Sequence, residues 1–211
     1  MSRPANAIIL LLDRSGSMGA IRDETIASLN AYLDEMRDRP APGLTLTLTR
    51  FDSQAFETVF QDMPIAAVPR LASKDLVPRG STPLIDALAG AINTARAQYS
   101  DRDRVIIVTM TDGRENASRE FKLADLRALI AQCASWDFVF LGASIDAYAD
   151  AGRFGIDPGA TMSYRARDIK SSVAAYAAVA GRAKRFMATG EKREFSRSEK
   201  KAAGDEYDPS T

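Results

Sequence analysis

Residues 7–19 read AIILLLDRSGSMG, and the first half of this stretch decides the fold. Six apolar residues in a row, Ala7 to Leu12, are too few to cross a bilayer and the right number for a strand buried on both faces. The run stops at Asp13 and is followed by Ser15, Gly16, Ser17 and Gly19, so hard oxygen donors and pliable backbone sit just past a strand that belongs mid-sheet. In open α/β sheets, ligand sites gather at that end of the strands.

A second run of the same kind, Val105 to Met110, ends in Thr111-Asp112-Gly113. Two buried strands therefore each present an Asp at the carboxyl end. Between them the chain alternates strand and helix. Ile21, Ile26, Leu29, Leu33 and Met36 recur at helical spacing; Leu44 to Phe51 alternates Leu and Thr as a strand; Asp52-Ser53-Gln54 reads as a turn into a short strand at Phe56 to Phe60. Residues 61–80 hold three prolines and read as a connection with one helical turn near Lys74. Leu84 to Tyr99 is amphipathic, with Pro83 suited to the first helical position.

Farther on, a helix is expected from Ser118 through Ile130, a strand at Trp136 to Leu141 closed by Gly142 to Ser144, and a short helix at Asp146 to Phe154. A small strand near Thr161 to Tyr164 and an Ala-rich helix from Asp168 to Met187 complete the set. Beyond Gly190 the sequence is charged and nearly free of aliphatic residues, which predicts a disordered tail over 190–211 after one domain at 1–189. Alternating elements around two apolar strands predict a mostly parallel sheet with helices on both faces.

Composition narrows the chemistry. The 211 residues carry 28 basic and 28 acidic side chains, so bulk charge gives no footprint for nucleic acid or an anionic membrane. With no histidine, a Ser-His-Asp triad, a Cys-His dyad and imidazole-bound zinc are all excluded. The single cysteine, Cys133, lies in a helical pattern beside Leu129 and Ile130 as a small hydrophobe and cannot form an internal disulfide. Met1 to Asn6 shows no secretory leader, which predicts a cytoplasmic protein.

Asp13, Ser15 and Ser17 alternate, so their oxygens can converge on one point, and carboxylate plus hydroxyl donors suit a hard cation, magnesium first. Thr82 and Asp112 can complete the set from neighbouring loops. Each also has a structural reading: Ser15 and Ser17 as turn or cap residues, Thr82 as a helix cap before Pro83, and Asp112-Gly113 as a turn. Their joint occurrence in this order favours a metal site. Arg14 and Arg114 flank the motif and, with Met18, are candidate partner contacts.

DRSGSM at 13–18, GSTPL at 80–84 with DAL at 86–88, and VTMTDG at 108–113 resemble the three parts of the metal-ion-dependent adhesion site of the von Willebrand factor A (VWA) domain family. The resemblance implies a Rossmann-like, doubly wound six-stranded sheet with one antiparallel edge strand, and Mg²⁺ or Mn²⁺ held by Asp13, Ser15, Ser17, Thr82 and Asp112. All five positions are filled, so it implies an intact site that captures an acidic side chain of a partner protein, without enzymatic turnover. Stand-alone bacterial and phage members, including those associated with tellurite resistance and stress, are the subgroup it resembles. An alternative is a subunit serving a separate AAA+ ATPase such as a chelatase, since no Walker motif occurs here. A third is a metal-dependent phosphatase using Asp13 as nucleophile, although Ser15 stands where such enzymes carry a second acid.

Overall fold

The computed structural model describes residues 5–143 and 147–207. Its centre is β1 (Asn6–Asp13), buried at every residue. On one side β1 pairs in parallel with β2 (Leu44–Asp52), Leu10 opposite Leu48, and on the other with β4 (Arg104–Thr111), Leu10 opposite Val108. β3 (Ala55–Pro64) returns antiparallel to β2 as the edge, while β5 (Asp137–Gly142) and β6 (Thr161–Ser163) extend the other half in parallel. The sheet has six strands in the order β3-β2-β1-β4-β5-β6. Strand order reverses at the β1/β4 junction, which opens a crevice at their carboxyl ends.

Alternation along β1 feeds two cores. Ile8, Leu10 and Leu12 pack with α1 (Arg22–Arg37) and α5 (Ile169–Thr189). Ala7, Ile9 and Leu11 pack with α2 (Leu84–Arg96), α3 (Leu123–Gln132) and α4 (Ala147–Phe154). Burying each such aliphatic side chain contributes about 1.5–3 kcal/mol relative to exposure. The apolar run is thus the hub of both layers, as its composition predicts. Ser144 to Asp146, expected to close β5 and open α4, lie outside the described residues, as do residues 1–4 of the segment read for a leader and the last four residues.

Three expectations are corrected. β3 runs four residues past Phe60 to Pro64, because a register irregularity between Leu46 and Leu48 of β2 lets the polar Gln61 and Asp62 pass without breaking the ladder. α3 starts at Leu123 and not at Ser118, because the backbone of 117–121 is taken up by side-chain carboxylates described below. Residues 191–207 are not a disordered tail. Phe195 and Ala203 are buried in the α1/α5 core, and α6 (Arg197–Ala202) is capped by Ser196, whose hydroxyl accepts from Glu199 N at 3.2 Å.

This segment holds down the β6 edge. The Asp205 carboxylate accepts from Ser163 N at 3.2 Å, Ser163 Oγ at 2.7 Å and Tyr148 Oη at 2.5 Å. Tyr207 stacks on Tyr148 with centroids 3.7 Å apart. Arg182, locked to Asp137 by two 2.8 Å bonds, lies 5.3 Å from the Phe195 ring centroid and also donates to the Arg193 carbonyl.

Truncating Phe195 to Ala should therefore cost about 3–5 kcal/mol. For a chain of this size that lowers Tm by roughly 6–20 °C in thermal unfolding. An unchanged Tm would return 190–207 to the status of a loose tail.

Candidate functional site

At the β1/β4 crevice the expected residues do come together. Asp13, at the end of β1, accepts from Ser15 N at 2.7 Å through Oδ1 and from Thr111 Oγ1 at 2.6 Å through Oδ2. Ser15 Oγ and Ser17 Oγ lie 3.1 Å apart, and Ser17 Oγ donates to Asp112 Oδ1 at 2.7 Å. Gly113 closes the ring. A Cβ there would stand 3.2 Å from Thr82 Oγ1, 3.8 Å from Ser17 Oγ and 4.0 Å from Asp13 Oδ2, so three of the five predicted side chains converge where Gly113 has no side chain.

The structural readings of the single residues fare unevenly. Ser15 occupies the cap position of the short turn Gly16–Ala20, but its hydroxyl makes no capping bond and points to Ser17 instead. Thr82 does not cap α2; Pro83 holds that position, one residue before the helix. Thr82 is fixed by its backbone, which donates to Asn116 Oδ1 at 2.9 Å and accepts from Asn116 N at 3.1 Å.

The loops carrying these residues are knitted by bonds that sequence patterning did not reveal. Gly16 N donates to Gly80 O at 3.1 Å and Ser53 N to Ser81 O at 3.0 Å. Gly80 itself has φ +67°, and a Cβ would meet Ser53 Oγ at 2.7 Å, so this turn needs glycine. Around them, carboxylates collect backbone amides. Asp86 accepts from the amides of Arg119, Glu120 and Phe121 at 2.7–3.1 Å. Glu115 accepts from Ile85, Ala117 and Ser118 amides at 2.9–3.0 Å, which supplies a missing partner at the start of α2. Asp52, fully buried, accepts from Gln54 and Ala55 amides at 2.7 and 3.1 Å.

Two of the predicted partner contacts are displaced. Arg14 is not a free surface cation: its side chain is 5% exposed and pairs with Asp52 and Glu57, 2.7 and 2.6 Å away. Met18 is buried in the core on the α1 side. Arg114 is exposed beside the crevice, as are Ser17 and Ser81.

The expectation of an intact metal-ion-dependent site, with Mg²⁺ or Mn²⁺ on Asp13, Ser15, Ser17, Thr82 and Asp112, is corrected. Among the described residues no group of three or more His, Cys, Asp or Glu side chains converges to hold a metal ion. The crevice offers two carboxylates, fewer than such a cluster needs, and its side chains are bonded to one another: Asp13 to Ser15 and Thr111, and the serines to each other and to Asp112. Burial pushes the Asp13 carboxyl up to about 6, and it raises Asp112 as well. Metal-dependent capture of an acidic side chain falls with the metal. So does the phosphatase alternative, because Asp13 is fully buried with its oxygens engaged and the chain has no histidine to serve it as base.

The Asp13 titration follows with its sign. A folded pKa of about 6, against an ordinary 3.8, means the folded chain holds this proton more tightly than the unfolded chain does. Its contribution to stability is therefore present below 3.8 and is lost as pH rises through about 6. Carboxyl NMR should give an Asp13 midpoint near 6, raised further in Thr111→Val, which removes a bond to the ionised form. Asp13→Asn should gain stability relative to the native chain above that midpoint and not at the acid end; a midpoint near 3.8 contradicts the burial.

No protein-family model and no curated protein matches the chain. Solved structures do. Proximal thread matrix protein 1 from the mussel byssus superposes with a TM-score of 0.63 at 16% identity over 84% of this chain, which spans about half (48%) of that one. The von Willebrand factor type A protein from Catenulispora acidiphila matches with 0.60 at 16% identity, over 85% of this chain and 43% of that one. The pilus adhesin SpaC from Lactobacillus rhamnosus GG matches with 0.66 at 14% identity, over 89% and 30%. The expectation of a cytoplasmic location is withdrawn, since the matched structures include a byssus thread protein and a pilus adhesin. The likeness to tellurite-resistance members is withdrawn with the intact metal site. Among the described residues no helix is long and apolar enough to cross a membrane. At these identities the matches establish the architecture: a mostly parallel six-stranded sheet flanked by helices on both faces, a VWA-like fold.

Proposed function

We propose that the chain is a protein-interaction module that docks a partner on the loop face at the carboxyl ends of β1, β2 and β4, by direct hydrogen bonds and charge and without a metal. The observation that carries this reading is the contrast on that face between a fixed backbone and solvent-exposed polar side chains. Asp52, Asp86 and Glu115 hold the loop amides, while Ser17, Ser53, Ser81 and Arg114 remain exposed on the loops. A preorganised backbone lowers the entropy cost of association, and exposed polar side chains supply the contacts. Arg114 gives the face a cation for an acidic group on the partner. A AAA+ ATPase partner, the alternative raised from the sequence, has no feature of this face in its favour.

A photo-crosslinking residue placed at Ser17 should capture a partner from host extract, and one placed at Arg102, on the turn preceding β4 at the opposite end of that strand, should not. Arg114→Glu should weaken capture about tenfold, the effect of losing roughly 1.4 kcal/mol at an interface. Capture should persist in EDTA. Capture lost in EDTA, or equal at both positions, contradicts the reading.

A further inference from the structure

On the β2 side of β1, away from Gly113, three guanidiniums share two carboxylates. Arg14 Nε donates to Asp52 Oδ2 at 2.7 Å and Arg14 Nη1 to Glu57 Oε2 at 2.6 Å. Arg50 Nη2 lies 3.1 Å from Glu57 Oε1, and Arg79 Nε lies 3.0 Å from Asp52 Oδ2. Arg50 Nη1 donates to the Asp75 carbonyl, and the Asp75 carboxylate is turned to Ala72 N, 2.7 Å away. One positive charge is left over. Two donors are also unmatched: among the described residues Arg14 Nη2 and Arg50 Nε are buried without an acceptor, on side chains 5% and 13% exposed. Buried polar groups are almost always partnered, so surplus charge and orphaned donors at one place call for an anion.

Glu57 shows the form of that anion. Its two carboxylate oxygens rest on two different guanidiniums, the two-point recognition that arginines give a carboxylate. Its hold is loose compared with that of Asp52. Asp52 is fully buried and also binds the Gln54 and Ala55 amides, whereas the Glu57 side chain is 50% exposed on the edge strand β3. The Arg14 and Arg50 guanidiniums hold the Glu57 carboxyl below its usual range, so it stays an anion and a competitor.

We propose that Arg14, Arg50 and Arg79 form a receptor for an Asp or Glu side chain of a partner protein, in which Glu57 is an internal stand-in that the incoming carboxylate displaces. An acid that is not tied to the β3 backbone can sit deeper than Glu57 and reach Arg14 Nη2. Arg79, 43% exposed and bonded only through Nε, offers its remaining donors at the rim. The receptor does not depend on the loop-face reading: Arg14 turns toward the β2–β3 hairpin, while its neighbour Asp13 turns toward β4.

The test is an NMR titration of the arginine Nε–H signals of the full chain with succinate, and in parallel with inorganic phosphate. The Arg14 and Arg50 signals should shift saturably with succinate. Glu57→Gln should bind succinate about two- to fivefold more tightly, the worth of a half-exposed ion pair. Arg50→Gln should lose the response and Arg102→Gln, on the exposed turn before β4, should keep it; Arg50 is chosen because Arg14 also neutralises the buried Asp52. Equal affinity in Glu57→Gln and the native chain, binding retained in Arg50→Gln, or saturation by phosphate at lower concentration than succinate would each overturn the proposal.

Discussion

Loops at the carboxyl edge of a sheet have backbone amides with no ladder to join, and a buried amide without an acceptor costs about 1–3 kcal/mol. In this chain the rest of the loop face depends on how that debt is met. Carboxylates from within the fold reach back to the loops: Asp13 to Ser15, Asp52 to Gln54 and Ala55, Asp86 to residues 119–121, Glu115 to Ile85, Ala117 and Ser118. Each carboxylate fixes a loop in one shape. Together Asp86 and Glu115 join the start of α2 to the segment before α3, and Asp13, accepting from Thr111, joins the end of β1 to the end of β4. At Gly113 the ring closes so tightly that a Cβ would stand 3.2 Å from Thr82 Oγ1.

The same bonds decide what the crevice can do. Residues that look like an open cation site in sequence are here joined to one another, Asp13 to Ser15 and Thr111 and Ser17 to Ser15 and Asp112, with two carboxylates among them. Rigid backbone with exposed polar side chains suits recognition of another protein better than turnover. On the other side of β1, the arginines around Asp52 add a cationic place for a partner's acid. Two successive residues, Asp13 and Arg14, thus serve opposite halves of the sheet, because β1 lies between β2 and β4.

The apolar runs at Ala7–Leu12 and Val105–Met110 made the central strands legible, since only a doubly covered strand tolerates such a sequence. α1, α2 and α5 were legible from their period. The convergence of Asp13, Ser17 and Thr82 could also be anticipated from spacing. What the hydroxyls bind could not, because a Ser or Thr in a loop sequence looks the same whether it faces a cation, a carboxylate or another hydroxyl. Arg14 and Met18 lie elsewhere than their sequence suggests because neighbours of a loop motif read as surface, whereas one is neutralised by Asp52 and the other fills the α1-side core. The segment after Gly190 was missed because its core contribution rests on Phe195 and Ala203 alone. The Ser196-to-Glu199 capping box was its one visible signal. Asp86 and Glu115 carry no pattern of their own; their partners are 30 or more residues away.

Hydrogen exchange on the loop amides tests most directly whether buried carboxylates hold this face. The amides of Gln54, Ala117, Ser118, Arg119, Glu120 and Phe121 lie outside any helix or strand ladder, yet each donates to a carboxylate and should exchange far more slowly than in an unstructured peptide. Asp86→Ala should release Arg119, Glu120 and Phe121 while leaving Gln54 protected. If these amides exchange at unstructured rates in the native chain, or are unchanged in Asp86→Ala, the carboxylates do not organise the loop face.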